Sequence, residues 1–271
     1  MKKLLCMALA FVMILSFAGC EKAKPAGDYA KSVDNALIVA ESGSAGEELA
    51  TGNEFFKNAK FTAVDSMAKA LMEVKAGTAD VAIVDYVTSI GSIGEGTEFE
   101  DLVVVEGKDF NPEEYGIAFR KGSDITPEVN EIIAELMADG TMDKIGKEYK
   151  LDQLLIKDPA AENAEVSGES DLEYIKEKGE LIVGITYFAP MNYEKDGELI
   201  GFETEFAKAV CEKLGVEAKF VEINWDTKEI ELNSKTIDCI WNGMTITPER
   251  KANMSISVPY MKNKQVMVAK G

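Results

Sequence analysis

The sequence contains no histidine and only four cysteines, and both shortages narrow what it can do. Without imidazole it lacks the side chain that most often serves as general base near neutral pH and a frequent metal ligand. Cys6 and Cys20 fall at the amino terminus. Cys211 sits in a helical pattern and Cys239 in a strand pattern, which is no disulfide scaffold. Two buried thiols and a single bridge both fit that spacing. Basic residues are also scarce, with 29 Lys and Arg against 48 Asp and Glu and a formal net charge of −19. This argues against nucleic-acid binding, which wants a basic face. Surface solubility accounts for much of the acidity, so net charge alone does not select a cationic ligand.

Long apolar runs are equally rare. One occurs, over residues 4–17, behind Lys2 and Lys3 and ahead of Ala18, Gly19 and Cys20. It is too short to cross a bilayer, which takes about 20 residues, and it reads as a secretion signal. The small residues before Cys20 look like a lipoprotein processing site, although Phe17 stands where that pattern has leucine. The expected arrangement is a signal peptide over 1–20, a lipid on Cys20 and a polar spacer over 21–35. Ordinary cleavage with Cys20 incidental is the alternative. The expected location is extracytoplasmic, lipid-anchored to the cell membrane.

From Ala36 onward the periodicity alternates between strand and helix. Apolar β-prone runs occur at 36–39, 61–64, 81–84, 102–106 and 115–119, and helical faces at 47–56, 67–74, 126–138 and 141–149. The stretch 158–170 is rich in Pro, Ala, Glu, Ser and Gly and has no period, so it reads as a linker. Strands resume at 181–186, 219–223, 236–241 and 265–269, with a helix over 203–214. Repeated β–α units imply mainly parallel sheets covered by helices, an α/β fold.

The most informative stretch is Asn242-Gly-Met-Thr-Ile-Thr-Pro-Glu-Arg250, following the strand pattern at 236–241. Pro248 suits the first turn of a helix, with Thr247 and Glu249 as capping groups. A backbone carbonyl, a threonine hydroxyl and a guanidinium converging there would grip the head group of an amino acid. An amino-acid zwitterion needs a cation for its carboxylate and an anion for its ammonium, both fixed, because an unpaired buried charge is costly. Arg250 offers a planar fork for the carboxylate. Residues 42–46 form a small-residue turn ahead of a helix, whose first N–H groups suit an anion. Asp85 ends an apolar strand, where a carboxylate can enter a cleft.

The segment 242–250 resembles the signature of the extracellular solute-binding proteins that feed polar amino acids to ABC transporters. Residues 181–201 resemble an opening of that family, and 135–149 resemble an ending. The resemblance therefore implies a two-lobed, type 2 periplasmic-binding-protein-like fold with the halves of the chain in circularly permuted order. Carried over, lobe B spans 36–117 and the closing strand and helices 118–157. The linker spans 158–170, and the main part of lobe A 171–271. The cut would fall at an interlobe crossover, leaving only the connection near 116–119 covalent.

The resemblance places the ligand carboxylate on Arg250, Thr245, Ser44 and Ala45, and the ammonium on Asp85 and Gly243. It draws the pocket walls from Phe188, Trp241, Asn242, Trp225 and Glu41. Tyr187, Tyr193 and Tyr86 are further candidates for the side-chain end, and Glu41 would favour a cationic ligand if it faces inward. The implied partners are an amino acid and an ABC permease in the membrane, with no nucleic acid. No cofactor, metal or catalytic residue is implied. A monomer is expected, with a swapped dimer through the last strand as the rival arrangement. A ligand-sensing module and a dehydratase-like enzyme on the same fold are the rival functions.

Overall fold

The computed structural model describes residues 24–160, 165–168 and 170–271. The expected signal peptide and the lipid expected on Cys20 fall outside the described residues. Among the described residues, no helix is long and apolar enough to cross a membrane.

Thirteen strands among these residues build two main sheets and one hairpin. In chain order they are β1 Leu37–Glu41, β2 Lys60–Val64, β3 Val81–Asp85, β4 Leu102–Val104, β5 Pro112–Tyr115 and β6 Ala118–Arg120. After the linker come β7 Glu180–Ile185, β8 Tyr193–Lys195, β9 Glu198–Ile200, β10 Glu217–Glu222, β11 Cys239–Ile240, β12 Met254–Ile256 and β13 Met261–Lys270. The sheet of lobe B runs β2-β1-β3-β13-β4, with β5 also on β13. That of lobe A runs β10-β7-β11-β6-β12. β1, β2 and β3 are parallel, as are β10, β7 and β11. The near-continuous apolar runs of β1, β3 and β7 fit a sheet interior covered on both faces, while the edge strands β2 and β10 are more polar and more exposed.

Lobe A draws on both sides of the linker. β6 pairs antiparallel with β11 and β12. The helices Ile125–Ala138 and Thr141–Glu148 bury Val129, Ile133, Leu136 and Ile145 in one core with Phe202, Phe206 and Val210 of the helix Phe202–Leu214. Within the linker, Ser167 donates its N–H to the Gly122 carbonyl at 2.9 Å, and Ser170 caps the helix Asp171–Lys178.

One expectation is corrected. The sequence places all of 171–271 in lobe A, whereas β13 leaves that lobe and completes the sheet of lobe B between β3 and β4. Val266, Met267, Val268 and Ala269 are buried there. Periodicity identifies a strand but not its partner, and β13 is long enough to serve both lobes. Two covalent crossings therefore join the lobes, one between β5 and β6 and one between β12 and β13. They run side by side, tied by Tyr260 N–H to the Tyr115 carbonyl (3.0 Å) and Ser257 N–H to the Ile117 carbonyl (2.9 Å). The chain ends in lobe B, where Gly271 donates to the Asp101 carbonyl.

Candidate functional site

The interlobe cleft collects most of the residues singled out from the sequence. On the lobe A wall, Thr247 caps the helix Pro248–Asn253 by accepting the Arg250 N–H, with Pro248 in the first turn. That cap fixes the first turn and holds Arg250 inward, where it is buried. Its Nη1 donates to the Thr245 carbonyl at 2.9 Å. Its Nη2 crosses the cleft to Glu48 Oε1 at 3.1 Å and the Gly43 carbonyl at 3.4 Å. Lys228 reaches the same Gly43 carbonyl at 3.0 Å, donates to the Trp225 carbonyl and lies 4.9 Å from the centre of the Trp225 ring. Burial, then the neighbouring Arg250 charge, pulls the Lys228 ammonium down to about 8.

Lobe B supplies the opposite wall. Gly43 has φ +69°, and a Cβ there would meet Asp226 Cα at 3.1 Å, so glycine permits both the turn and the approach of the facing lobe. Ser44 caps the helix Ala45–Gly52 by accepting the Glu47 N–H, and Glu47 reaches back to the Gly43 N–H at 2.7 Å. The turn is thereby fixed with the start of that helix, whose first N–H groups have no intrahelical partner, aimed at the cleft. Ala45, Glu48, Glu113, Thr245 and Gln265 border a cavity of about 460 Å³ beside it.

Asp85 sits at the end of β3, buried, and accepts from Asn263 Nδ2 at 3.0 Å and from Gln265 Nε2. The same two amides donate to Glu113 Oε2, which also accepts the Thr245 hydroxyl at 3.2 Å. Two carboxyls thus share one pair of amide donors. Burial, then the Glu113 charge, pushes Asp85 up to about 7, and burial raises Glu113 as well. Glu41, at the end of β1, is 2% exposed and its Oε1 meets no donor. Burial, then Asp85, pushes it up to about 8, with Lys228 opposing.

Gly243 lies between these groups with φ +57°. A Cβ there would meet Phe188 Cζ at 3.0 Å and Tyr115 Cζ at 3.2 Å, so both rings pack against this peptide. Its N–H donates to both oxygens of Glu203 at 2.9 and 3.1 Å. Glu203 also accepts from the Tyr260 hydroxyl and from Asn192 Nδ2. Four donor contacts favour its ionised form, but burial outweighs them and pushes it up to about 7.

Two residues expected as pocket walls do other work. Trp241 packs edge-on against Phe206, 4.9 Å between ring centres, inside the core of lobe A. Asn242 clasps Thr186, exchanging bonds of 2.6 and 2.8 Å that tie the loop to the end of β7. An aromatic ring or an amide beside a strand end fits core and cleft equally well, and here packing decided. Phe188 packs against Gly243, Trp225 lies beneath the Lys228 ammonium, and Glu41 is buried within reach of the Asp85 and Lys228 charges. Sequence reasoning missed Glu48, Glu113, Glu203, Lys228 and Gln265. A signal existed only for Gln265, which alternates with Asn263 on the buried face of β13 while Lys262 and Lys264 fall on the other face.

Residues 181–271 match the model of the bacterial extracellular solute-binding proteins, family 3. That stretch is about a third of the chain. Among curated solute-binding proteins it is 41% identical over 106 residues to the L-cystine-binding protein TcyJ of Escherichia coli K12, covering 38% of this chain and 40% of that protein. It is 33% identical over 94 residues to the arginine-binding extracellular protein ArtP of Bacillus subtilis, covering 34% and 37%. Among solved structures, the arginine-bound form of domain 1 of the T. maritima arginine-binding protein is 34% identical. That alignment covers 36% of this chain and 84% of the domain, with a TM-score of 0.32. The match spans about two fifths of the length of the first of these curated relatives. These curated relatives are described as binding proteins. Among the described residues, no group of three or more His, Cys, Asp and Glu is placed to hold a metal ion.

Proposed function

We propose that this protein is the amino-acid-binding component of an ABC transporter, presenting its closed, loaded form to a membrane permease. One observation carries the reading: two buried cations of lobe A, Arg250 and Lys228, face buried carboxyls of lobe B across a single cleft. A free amino acid bridges such walls. Arg250, the Thr245 backbone and the amides of Ser44 and Ala45 take its carboxylate, displacing the Glu48 side chain. Asp85 and the Gly243 carbonyl take its ammonium. Phe188 and Trp225 flank its side chain. Neither lobe holds both charges of the ligand alone, so contacts completed only on closure shift the population toward the closed form.

The relatives' names support an amino-acid ligand, and the absence of histidine in the sequence weighs against acid–base catalysis by imidazole. We further infer a circularly permuted order of family segments, with the join at 158–170 tethering two parts of lobe A at small entropic cost. The protein is proposed to be a monomer, with sedimentation or light scattering as the test. Lipidation of Cys20 would hold it outside the membrane, and Cys20→Ala should release it from the membrane fraction.

A thermal-shift screen against the amino acids tests the binding reading, because a ligand for the native state raises apparent stability by mass action. A shift for one chemical class, lost in Arg250→Ala and Asp85→Ala, is expected. No shift with any amino acid contradicts it. A chain rebuilt with 171–271 ahead of 36–157 should bind the same ligand with similar affinity; failure of that chain to fold would count against the permutation.

A further inference from the structure

The charges buried around the cleft do not balance, and the imbalance is localised. Four carboxyls, Glu41, Asp85, Glu113 and Glu203, are buried or nearly so, against two cations, Arg250 and Lys228. Both cations donate to one atom, the Gly43 carbonyl oxygen, at 3.4 and 3.0 Å. They therefore converge on one locus and suit one carboxylate between them, rather than two separate anionic groups. The carboxyls differ in how they are satisfied. Asp85 and Glu113 share the amides of Asn263 and Gln265, and Glu203 accepts from Gly243, Tyr260 and Asn192. Glu41 has nothing comparable: it is 2% exposed, and its Oε1 has no hydrogen-bond partner.

Resting on the amino-acid-binding reading, we propose that the ligand is a cationic amino acid, whose side-chain ammonium or guanidinium pairs with Glu41 while its α-ammonium pairs with Asp85. A second cationic group supplies the donor that Glu41 Oε1 lacks and removes the cost of leaving a buried acceptor unmatched. It also brings the cleft closer to charge balance. The elevated proton affinity of Glu41 agrees, because a carboxyl desolvated beside Asp85 ionises readily only when a cation is brought to it. A ligand with a second zwitterionic head would need a second free cation for its distal carboxylate, and Lys228 is already committed to the locus of Arg250. A neutral side chain leaves Glu41 protonated and unmatched.

Isothermal titration of the purified protein at pH 7.5 separates these cases, using lysine, arginine, norleucine, glutamine and cystine. The expected result is lysine or arginine binding about 30-fold or more tighter than norleucine, in line with truncating one partner of a buried charge pair. In Glu41→Gln the preference for the cation over norleucine should fall to about threefold or less, since the charge pair is removed. The wild-type panel is informative by itself should the variant fail to fold. Preference for norleucine, glutamine or cystine over both cationic ligands overturns the inference and leaves amino-acid binding standing. Unchanged preference in a folded Glu41→Gln also overturns it. Absence of heat with every amino acid, from protein shown to be folded by circular dichroism, overturns the amino-acid-binding reading itself.

Discussion

Two groups of buried charge lie in this molecule, and they are built differently. Around Arg120, on β6 of lobe A, every charge has a partner. The Arg120 Nε lies 3.0 Å from both Asp171 oxygens, its Nη2 pairs with Asp171 at 2.9 Å and Asp238 at 3.5 Å, and its Nη1 donates to the Leu232 and Ile237 carbonyls. Lys178 and the Ile182 N–H complete Asp238. Two cations meet two anions, and the guanidinium joins segments from both sides of the linker. The cleft keeps more carboxyls than cations, and its cations lie across a lobe boundary from most of those carboxyls. A fully compensated cluster fixes one geometry, whereas surplus buried charge leaves a cost that a ligand of the right sign can relieve. The comparison separates charge that serves the fold from charge that waits for a partner.

The largest effect should come from breaking the compensated cluster. Arg120→Ala leaves Asp171 and Asp238 buried without their guanidinium, and urea unfolding should report a loss of about 3–5 kcal/mol. Arg250→Ala should do the reverse. Removing that cation from the cleft should weaken ligand binding by about 2–5 kcal/mol, with a much smaller change in the unfolding free energy. Equal stability losses in the two variants would erase the distinction drawn here.

A third effect is a pH dependence of the ligand-free protein. Asp85 is pushed up to about 7, Glu203 to about 7 and Glu41 to about 8, each above its unfolded value. The native state therefore holds protons that the unfolded chain has released, so this contribution is full below about pH 4 and is lost as pH rises through 7 to 8. Melting temperatures should fall from pH 5 to pH 8.5, less steeply in Asp85→Asn and less steeply again with saturating ligand. The smallest effect belongs to Glu48, whose side chain is 54% exposed and whose bridge to Arg250 is a rim contact. Glu48→Gln should tighten ligand binding modestly, within about 1 kcal/mol, because a half-exposed pair contributes little.

Much of the lobed architecture was legible from the sequence, because apolar runs and turn residues carry it. Arg250 and Asp85 were legible for the same reason: each follows a strand pattern, at a place where chains turn into clefts. Glu113 was not, because in Asn-Pro-Glu-Glu-Tyr it reads as an exposed charge, and only the pairing of β5 with β13 brings it beside Asp85. Lys228 and Glu203 were missed likewise, since their positions follow from how the lobes meet and how Gly243 folds over a helix start. The path of β13 was misread because a strand pattern gives no sign of which sheet the strand joins. Trp241 failed as a wall residue because Phe206, far in sequence, holds it in the core.

The most direct test of the account is a crystal structure of the protein with the amino acid that the thermal screen selects. The expected density places the ligand carboxylate within about 3 Å of the Arg250 guanidinium, with Glu48 displaced and the α-ammonium on Asp85. A ligand held away from the Arg250 guanidinium, with Arg250 still paired to Glu48, would contradict it.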